Sequence, residues 1–281
     1  MNACRSLALT VALVALPAFA ADTPKPLRAL LITGGCCHEY GVQKDVLKSG
    51  IEARANIVVD QIHSDNTTGS PPLAIFGNPD YARGYDVVIH DECAADLRDP
   101  ALFRGVLKPH VDGIPGVNLH CAMHSYRSGD FAKPVTRGAD NAAWYEYIGL
   151  QSTSHGPHEP ITISFVNNDH PITRTLGEWT TVNEELYNNV QILDGKALAK
   201  GRQIVKRSKR QPDGSTVEEA ETVETVVAWT NEFGPKKTRV FSTSIGHNTA
   251  TVADARYLDL VTRGILWATG KVDQPGYVKP K

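Results

Sequence analysis

The sequence predicts an α/β fold: a mostly parallel sheet covered on both faces, with added antiparallel strands or a hairpin in the C-terminal half. Two observations carry this. Between residues 27 and 125, short apolar runs alternate with segments of helical spacing. Beyond residue 150 the pattern changes to alternating strands that bracket a charged segment. With 281 residues, 41% of them hydrophobic, the chain is long enough for a sizeable core. The elements read as one domain over 27–271, followed by a tail over 272–281.

Residues 28–33 form a buried strand that runs into Gly34-Gly35. Residues 42–53 place Val42, Val46, Leu47 and Ile51 on one helical face, with Lys44, Asp45 and Lys48 opposite. A second strand spans 56–60, then a loop rich in Pro, Gly, Asn and Ser spans 64–79. A third strand spans 85–90. The helix over 101–111 begins at Asp99-Pro100, a capping residue followed by Pro at the first helical position. A fourth strand follows over 114–119, and residues 143–148 read as a helix. Strands at 161–166, 198–206 and 223–230 come next, the last two forming a hairpin whose tip, 207–221, is charged and solvated. A strand over 239–243 and a helix over 253–269, stopped by Gly270, end the domain.

Residues 1–20 read as an export signal. Arg5 charges the start, an apolar run covers 7–16, and Ala18-Phe19-Ala20 gives the cleavage pattern. The run is too short to span a bilayer. An extended leader over 21–26 follows. The mature chain is therefore expected in a bacterial periplasm or outside the cell, without membrane insertion. The formal charge of −2, from 29 basic and 31 acidic residues, argues against a nucleic-acid partner. Export also means that Cys36, Cys37, Cys93 and Cys121 meet oxidising conditions. A Cys93–Cys121 bridge is permitted if their strands are neighbours, with free buried thiols as the alternative. A bridge between the vicinal Cys36 and Cys37 is disfavoured as strained.

Ten histidines mark the chain. In a doubly wound sheet, ligands bind beyond the carboxyl ends of the strands. The first strand ends toward His38, the third in His90, Asp91, Glu92 and Cys93, the fourth in His120, Cys121 and His124, and the last in His247. These are expected to converge on one rim. His38, His120, His155, His158 and His247, with Glu185 nearby, could also gather a divalent metal, although no C-x-x-C or H-E-x-x-H spacing is present. A metal, if bound, would use His120, His155 and His247; the residue pattern itself calls for no cofactor. His170, in Asp169-His170-Pro171, reads as part of a structural turn.

Six segments in register then resemble the trehalose-utilisation (ThuA-like) family: Gly34-Gly35 with His38, residues 116–122 (GVNLHCA), 169–173 (DHPIT), 184–187 (EELY), 227–229 (VAW), and 244–247 (SIGH) ahead of 265–270 (ILWATG). The resemblance covers residues 27–271. It implies a flavodoxin-like sheet similar to class I glutamine amidotransferases. It also implies polar site positions at His38, His120, His155, Glu185 and His247. The chain departs from the family pattern at Cys36-Cys37, where an aromatic residue often precedes the histidine, at the thinned glycine run 113–116, and in the longer segment 207–221.

Amidotransferases carry a cysteine nucleophile on the turn after a central strand. Here His120 occupies that place and Cys121 follows it. A tight turn exposes one side chain at its apex, so the shift by one residue argues against covalent cysteine chemistry. Neutral imidazoles beside a carboxylate suit proton transfer instead. The expected activity is therefore His/Glu acid–base chemistry by His120, Glu185, His247 and His38 on a small carbohydrate or keto-sugar, through hydrolysis, elimination–hydration or isomerisation. His155, Tyr126, Tyr187, Trp144 and Trp179 are expected to hold the sugar, whereas Trp229 and Trp267 read as core. A non-catalytic carbohydrate-binding protein on the same scaffold is the alternative reading, and a metal-dependent enzyme the third.

Overall fold

In a computed structural model, residues 24–280 are described. The expected export signal lies outside them. The chain runs β1 (Leu27–Gly35), α1 (Tyr40–Arg54), β2 (Ile57–Ser64), β3 (Val87–Cys93), α2 (Pro100–Val111), β4 (Gly116–Leu119) and α3 (Ala143–Ile148). It continues through β5 (Leu150–Gln151), β6 (His155–Phe165), β7 (Trp179–Tyr187), β8 (Gln191–Ile192), β9 (Lys196–Arg210), β10 (Thr216–Phe233), β11 (Thr238–Thr243), α4 (Thr249–Val252) and α5 (Ala255–Ala268).

Nine strands form one sheet in the order β2-β1-β3-β4-β11-β10-β9-β6-β7. The first five are mutually parallel, as a doubly wound fold requires. From β11 onward every pairing is antiparallel. Strands β5 and β8 pair separately.

Strand alternation sorts the side chains of the central strands onto two faces. Leu31 and Ile89 pack with Ile51 of α1 and Ile265 of α5 on one face. Leu30, Ile32 and Val88 pack with Phe103 of α2 and Trp144 of α3 on the other. All are buried, which places the parallel strands between two apolar layers. Each fully buried side chain of this size contributes about 1.5–3 kcal/mol through removal of apolar area from water. As the sequence predicts, the Asp99 carboxylate accepts from the Ala101 N–H and caps α2.

Two expectations change. The solvated segment 207–221 carries more strand than expected: β9 and β10 stay paired from Arg210 and Thr216 inward, and the turn is confined to 211–215. Arg207 pairs with Glu221 and Lys209 with Glu219 across the exposed ladder, so the blocked charges neutralise each other between strands. The second change is β7, whose many polar residues hide it from a periodicity reading. This edge strand carries Glu184 and Glu185. The C-terminal tail is also anchored: Tyr277 O accepts from Asn56 N, and Lys279 N donates to Arg54 O.

No helix among the described residues is long and apolar enough to cross a membrane.

Candidate active site

The carboxyl ends of β1, β4 and β11 meet the end of β7 at one rim, and the loops there are tightly tied. Gly35 stands at φ +108°, and a Cβ on it would lie 2.2 Å from the Cys93 carbonyl oxygen. Only glycine lets the end of β1 approach β3 this closely. His120 follows β4 directly and takes φ +40°, a left-handed conformation uncommon for a non-glycine residue. This is the apex of the strand-to-helix turn, and the imidazole occupies it.

Glu185 is the hub. Its Oε1 lies 2.8 Å from His158 Nε2, 3.3 Å from His155 Nε2 and 3.3 Å from His247 Nδ1, while its Oε2 lies 3.4 Å from His120 Nε2. The His38 ring stands edge-on to His120 at 4.7 Å and to His247 at 4.8 Å between centroids. Five imidazoles from β1, β4, β6 and β11 thus surround one carboxylate. Tyr187 joins them: its ring stacks on His124 at 3.9 Å, and its hydroxyl lies 3.2 Å from His120 Nε2. His124 is held by Ser152 Oγ at 2.9 Å.

The surroundings set distinct protonation states. Burial, with His120 and His247 nearby, lowers His38 to about 2, so its ring stays neutral. His247 is shifted upward, chiefly by contact with the Glu185 carboxylate, which outweighs its partial burial. Burial pushes the Glu185 carboxyl up, but hydrogen bonding and charge from His120 and His247 overcome this and hold it far below the usual range. Glu185 is therefore ionised at neutral pH. His124 is kept neutral, first by burial and then by Arg127.

Two residues position the site without having been singled out from the sequence. Glu184 is fully buried and accepts from the backbone N–H of His247 at 3.0 Å and of Asn248 at 2.9 Å. Gln43 of α1 donates to the His247 carbonyl at 2.9 Å. A Glu-Glu pair in a strand must split between faces; that signal lay in the sequence once β7 was recognised as a strand. Beside His247, an open depression of about 450 Å³ is lined by Cys37, His38, Glu39, Asn248 and Thr249. His38 Nδ1 and His247 Nδ1 are buried there without a well-formed hydrogen bond.

Other expected site residues lie elsewhere. Trp144 is buried against Tyr126 and Tyr147, with its Nε1 donating to the Ala122 carbonyl. Tyr126 is buried and donates to Glu92 at 2.6 Å. Trp179 pairs with Ile163 at the end of β7 remote from Glu185 and packs on Phe165. All three are buried in the core rather than forming a sugar platform: Trp144 is held by the Ala122 carbonyl, Tyr126 by Glu92 and Trp179 by its packing on Phe165. Tyr187 and the half-exposed His155 alone of that group stand at Glu185.

His90 and Glu92 also leave the rim. They face the α2/α3 layer, where His90 bonds Glu92 at 2.9 Å and His110 at 3.0 Å. The cysteines gather beside His38. Cys93 bridges Cys121, as their neighbouring strands permit. Cys36 bridges Cys37, against the expectation drawn from strain, with Cys37 accommodating the turn at φ +79°. His170 accepts from the Ile172 N–H and forms the expected turn.

A ThuA-like protein from Parabacteroides merdae is 19% identical, with a TM-score of 0.58 over 92% of this chain and 93% of that one. A glutamine amidotransferase from Thermotoga maritima matches at 9% identity and a TM-score of 0.42, over 88% of this chain and 99% of that one. No curated protein matches the sequence. The family model for trehalose utilisation, ThuA, matches residues 30–268. The chain therefore belongs to the ThuA family.

Proposed function

We propose that this chain is an exported enzyme acting on a small carbohydrate or keto-sugar derivative by His/Glu acid–base chemistry. One observation carries the reading: His38 Nδ1 and His247 Nδ1, both short of a well-formed hydrogen bond, border an open depression beside an ionised carboxylate. Buried ring nitrogens are normally paired; His247 Nδ1 leans on Glu185 at 3.3 Å, which leaves the buried His38 Nδ1 beside the opening as the ring nitrogen without a partner.

Hydrolysis, elimination–hydration and isomerisation of a keto-sugar share one requirement, a proton moved beside a polarised carbonyl. His247 carries the proton. Neutral His38 donates a hydrogen bond to the oxygen on which charge develops. Glu185 and His120 behind them fix the charge and orientation of the pair. The bridged cysteines leave no thiol at this rim for covalent catalysis.

Turnover of a panel of sugars and keto-sugars tests the proposal. His247→Ala and Glu185→Gln are expected to lower kcat/KM by roughly 10²–10⁴, with the folded state retained by circular dichroism. Unchanged turnover in both variants overturns it. So does sugar binding without product in the wild-type chain, which would make the protein a binding module.

A further inference from the structure

We infer that the four cysteines beside His38 form a thiol–disulfide exchange site, which oxidises a small dithiol at Cys37 and passes the electron pair through Cys36 to the Cys93–Cys121 bridge. The inference does not rest on the carbohydrate reading, because no sugar group takes part in it.

Two bridges stand side by side. Cys36 is joined to Cys37 and Cys93 to Cys121, and Cys36 Sγ lies 3.7 Å from Cys93 Sγ. Sulfurs of different bridges are thus in van der Waals contact, the approach from which a thiolate attacks a disulfide. Exposure falls stepwise across the cluster. Cys37 is exposed and lines the depression, Cys36 is half-buried, and Cys93 and Cys121 are buried with Tyr40 and Ala95. A reductant in the depression therefore meets Cys37 first, and Cys36 stands between it and the inner bridge. At about 450 Å³ the depression has room for a small molecule.

The exchange balances in three steps. One thiolate of the dithiol attacks Cys37 Sγ, which breaks the Cys36–Cys37 bond and leaves Cys36 as a thiolate. The second thiol attacks the mixed disulfide, closes the dithiol into its own disulfide and releases Cys37. Cys36 then attacks Cys93 Sγ, so the Cys36–Cys93 bond forms and the Cys93–Cys121 bond breaks. Two electrons and two protons leave the dithiol, and Cys37 and Cys121 end as thiols. His38 lines the depression as well, and one of its ring nitrogens lies within 4.8 Å of both Cys93 Sγ and Cys121 Sγ. It gives the departing Cys121 sulfur a polar neighbour in a buried place.

The full chain is mixed with one equivalent of dithiothreitol, trapped with N-ethylmaleimide in mild acid, and mapped by mass spectrometry without further reduction. A Cys36–Cys93 linked peptide is expected in at least about a tenth of the reacted molecules, with label on Cys37 and Cys121. A smaller share, or label confined to Cys36 and Cys37, overturns the inference. Cys37→Ser leaves Cys36 as a thiol, and the linked peptide should then form without any reductant. Cys36→Ser leaves Cys37 as the free thiol, and the Cys93–Cys121 bridge should stay intact. Equal exchange in the two variants overturns the relay, and so does an intact inner bridge in both. Each substitution alters a side chain that is not fully buried, and circular dichroism checks the fold.

Discussion

Glu184 and Glu185 are adjacent in β7 and serve opposite faces. Glu184 is fully buried and caps the backbone N–H groups of His247 and Asn248, whereas Glu185 receives the imidazoles. One strand register thus fixes both the loop that carries His247 and the carboxylate that faces it.

The two carboxylates should therefore separate on mutation. Glu184→Ala leaves two partly buried N–H groups without their acceptor, at about 1 kcal/mol each. Its urea midpoint should fall well below that of wild type, and Glu184→Gln should recover part of the loss. Glu185→Gln should leave the midpoint much closer to wild type while lowering kcat/KM by roughly 10²–10⁴. Equal destabilisation by both substitutions would contradict the division of roles.

The Cys93–Cys121 bridge closes a span of 28 residues. Loop-closure entropy for that length predicts a loss of roughly 3.5 kcal/mol on reduction. Thermal unfolding with and without dithiothreitol measures it. Alkylation of the denatured, unreduced protein should label none of Cys36, Cys37, Cys93 and Cys121.

Acid should destabilise the protein as its buried histidines are forced to charge. Burial and the neighbouring His90 lower His110 to about 3, below its unfolded value near 6.5. The unfolded chain then binds more protons than the native one between those values, and stability falls as pH drops through that window. The slope is about 1.4 kcal/mol per pH unit for each such group. His38 and His124 act in the same sense. His247, raised by the Glu185 carboxylate, and Asp91, raised by burial, act in the opposite sense and are outnumbered. Urea unfolding at pH 6.5 and 5.2 should show the loss, and a flat profile would contradict it.

Aromatic substitutions test the corrected sugar platform. Trp144→Phe removes the bond to the Ala122 carbonyl and should lower stability by about 1–3 kcal/mol while leaving kcat/KM near wild type. Tyr187→Phe removes the hydroxyl beside His120 and should lower turnover with little loss of stability. The reverse pattern would restore Trp144 to the site.

Much of this was legible in the sequence because local rules were obeyed. Asp99-Pro100 announced α2, and the Gly34-Gly35 run announced the end of β1. The convergence of His38, His120 and His247 followed from strands ending at one rim. Strand β7 was missed because an edge strand bearing Thr180, Asn183, Glu184 and Glu185 lacks an apolar alternation. The inward turn of Trp144 and Tyr126 depends on how α3 packs over β3, a tertiary relation that no local spacing encodes. His90 and Glu92 were placed at the rim by proximity to a strand end, but alternation sends both into the opposite layer.

The most direct test of the site is a crystal of the chain soaked with a panel of sugars and keto-sugars. Ordered ligand density is predicted in the depression, with a substrate oxygen within about 3.2 Å of His38 or His247. Density confined to any other surface, with the imidazoles around Glu185 untouched, would contradict the account.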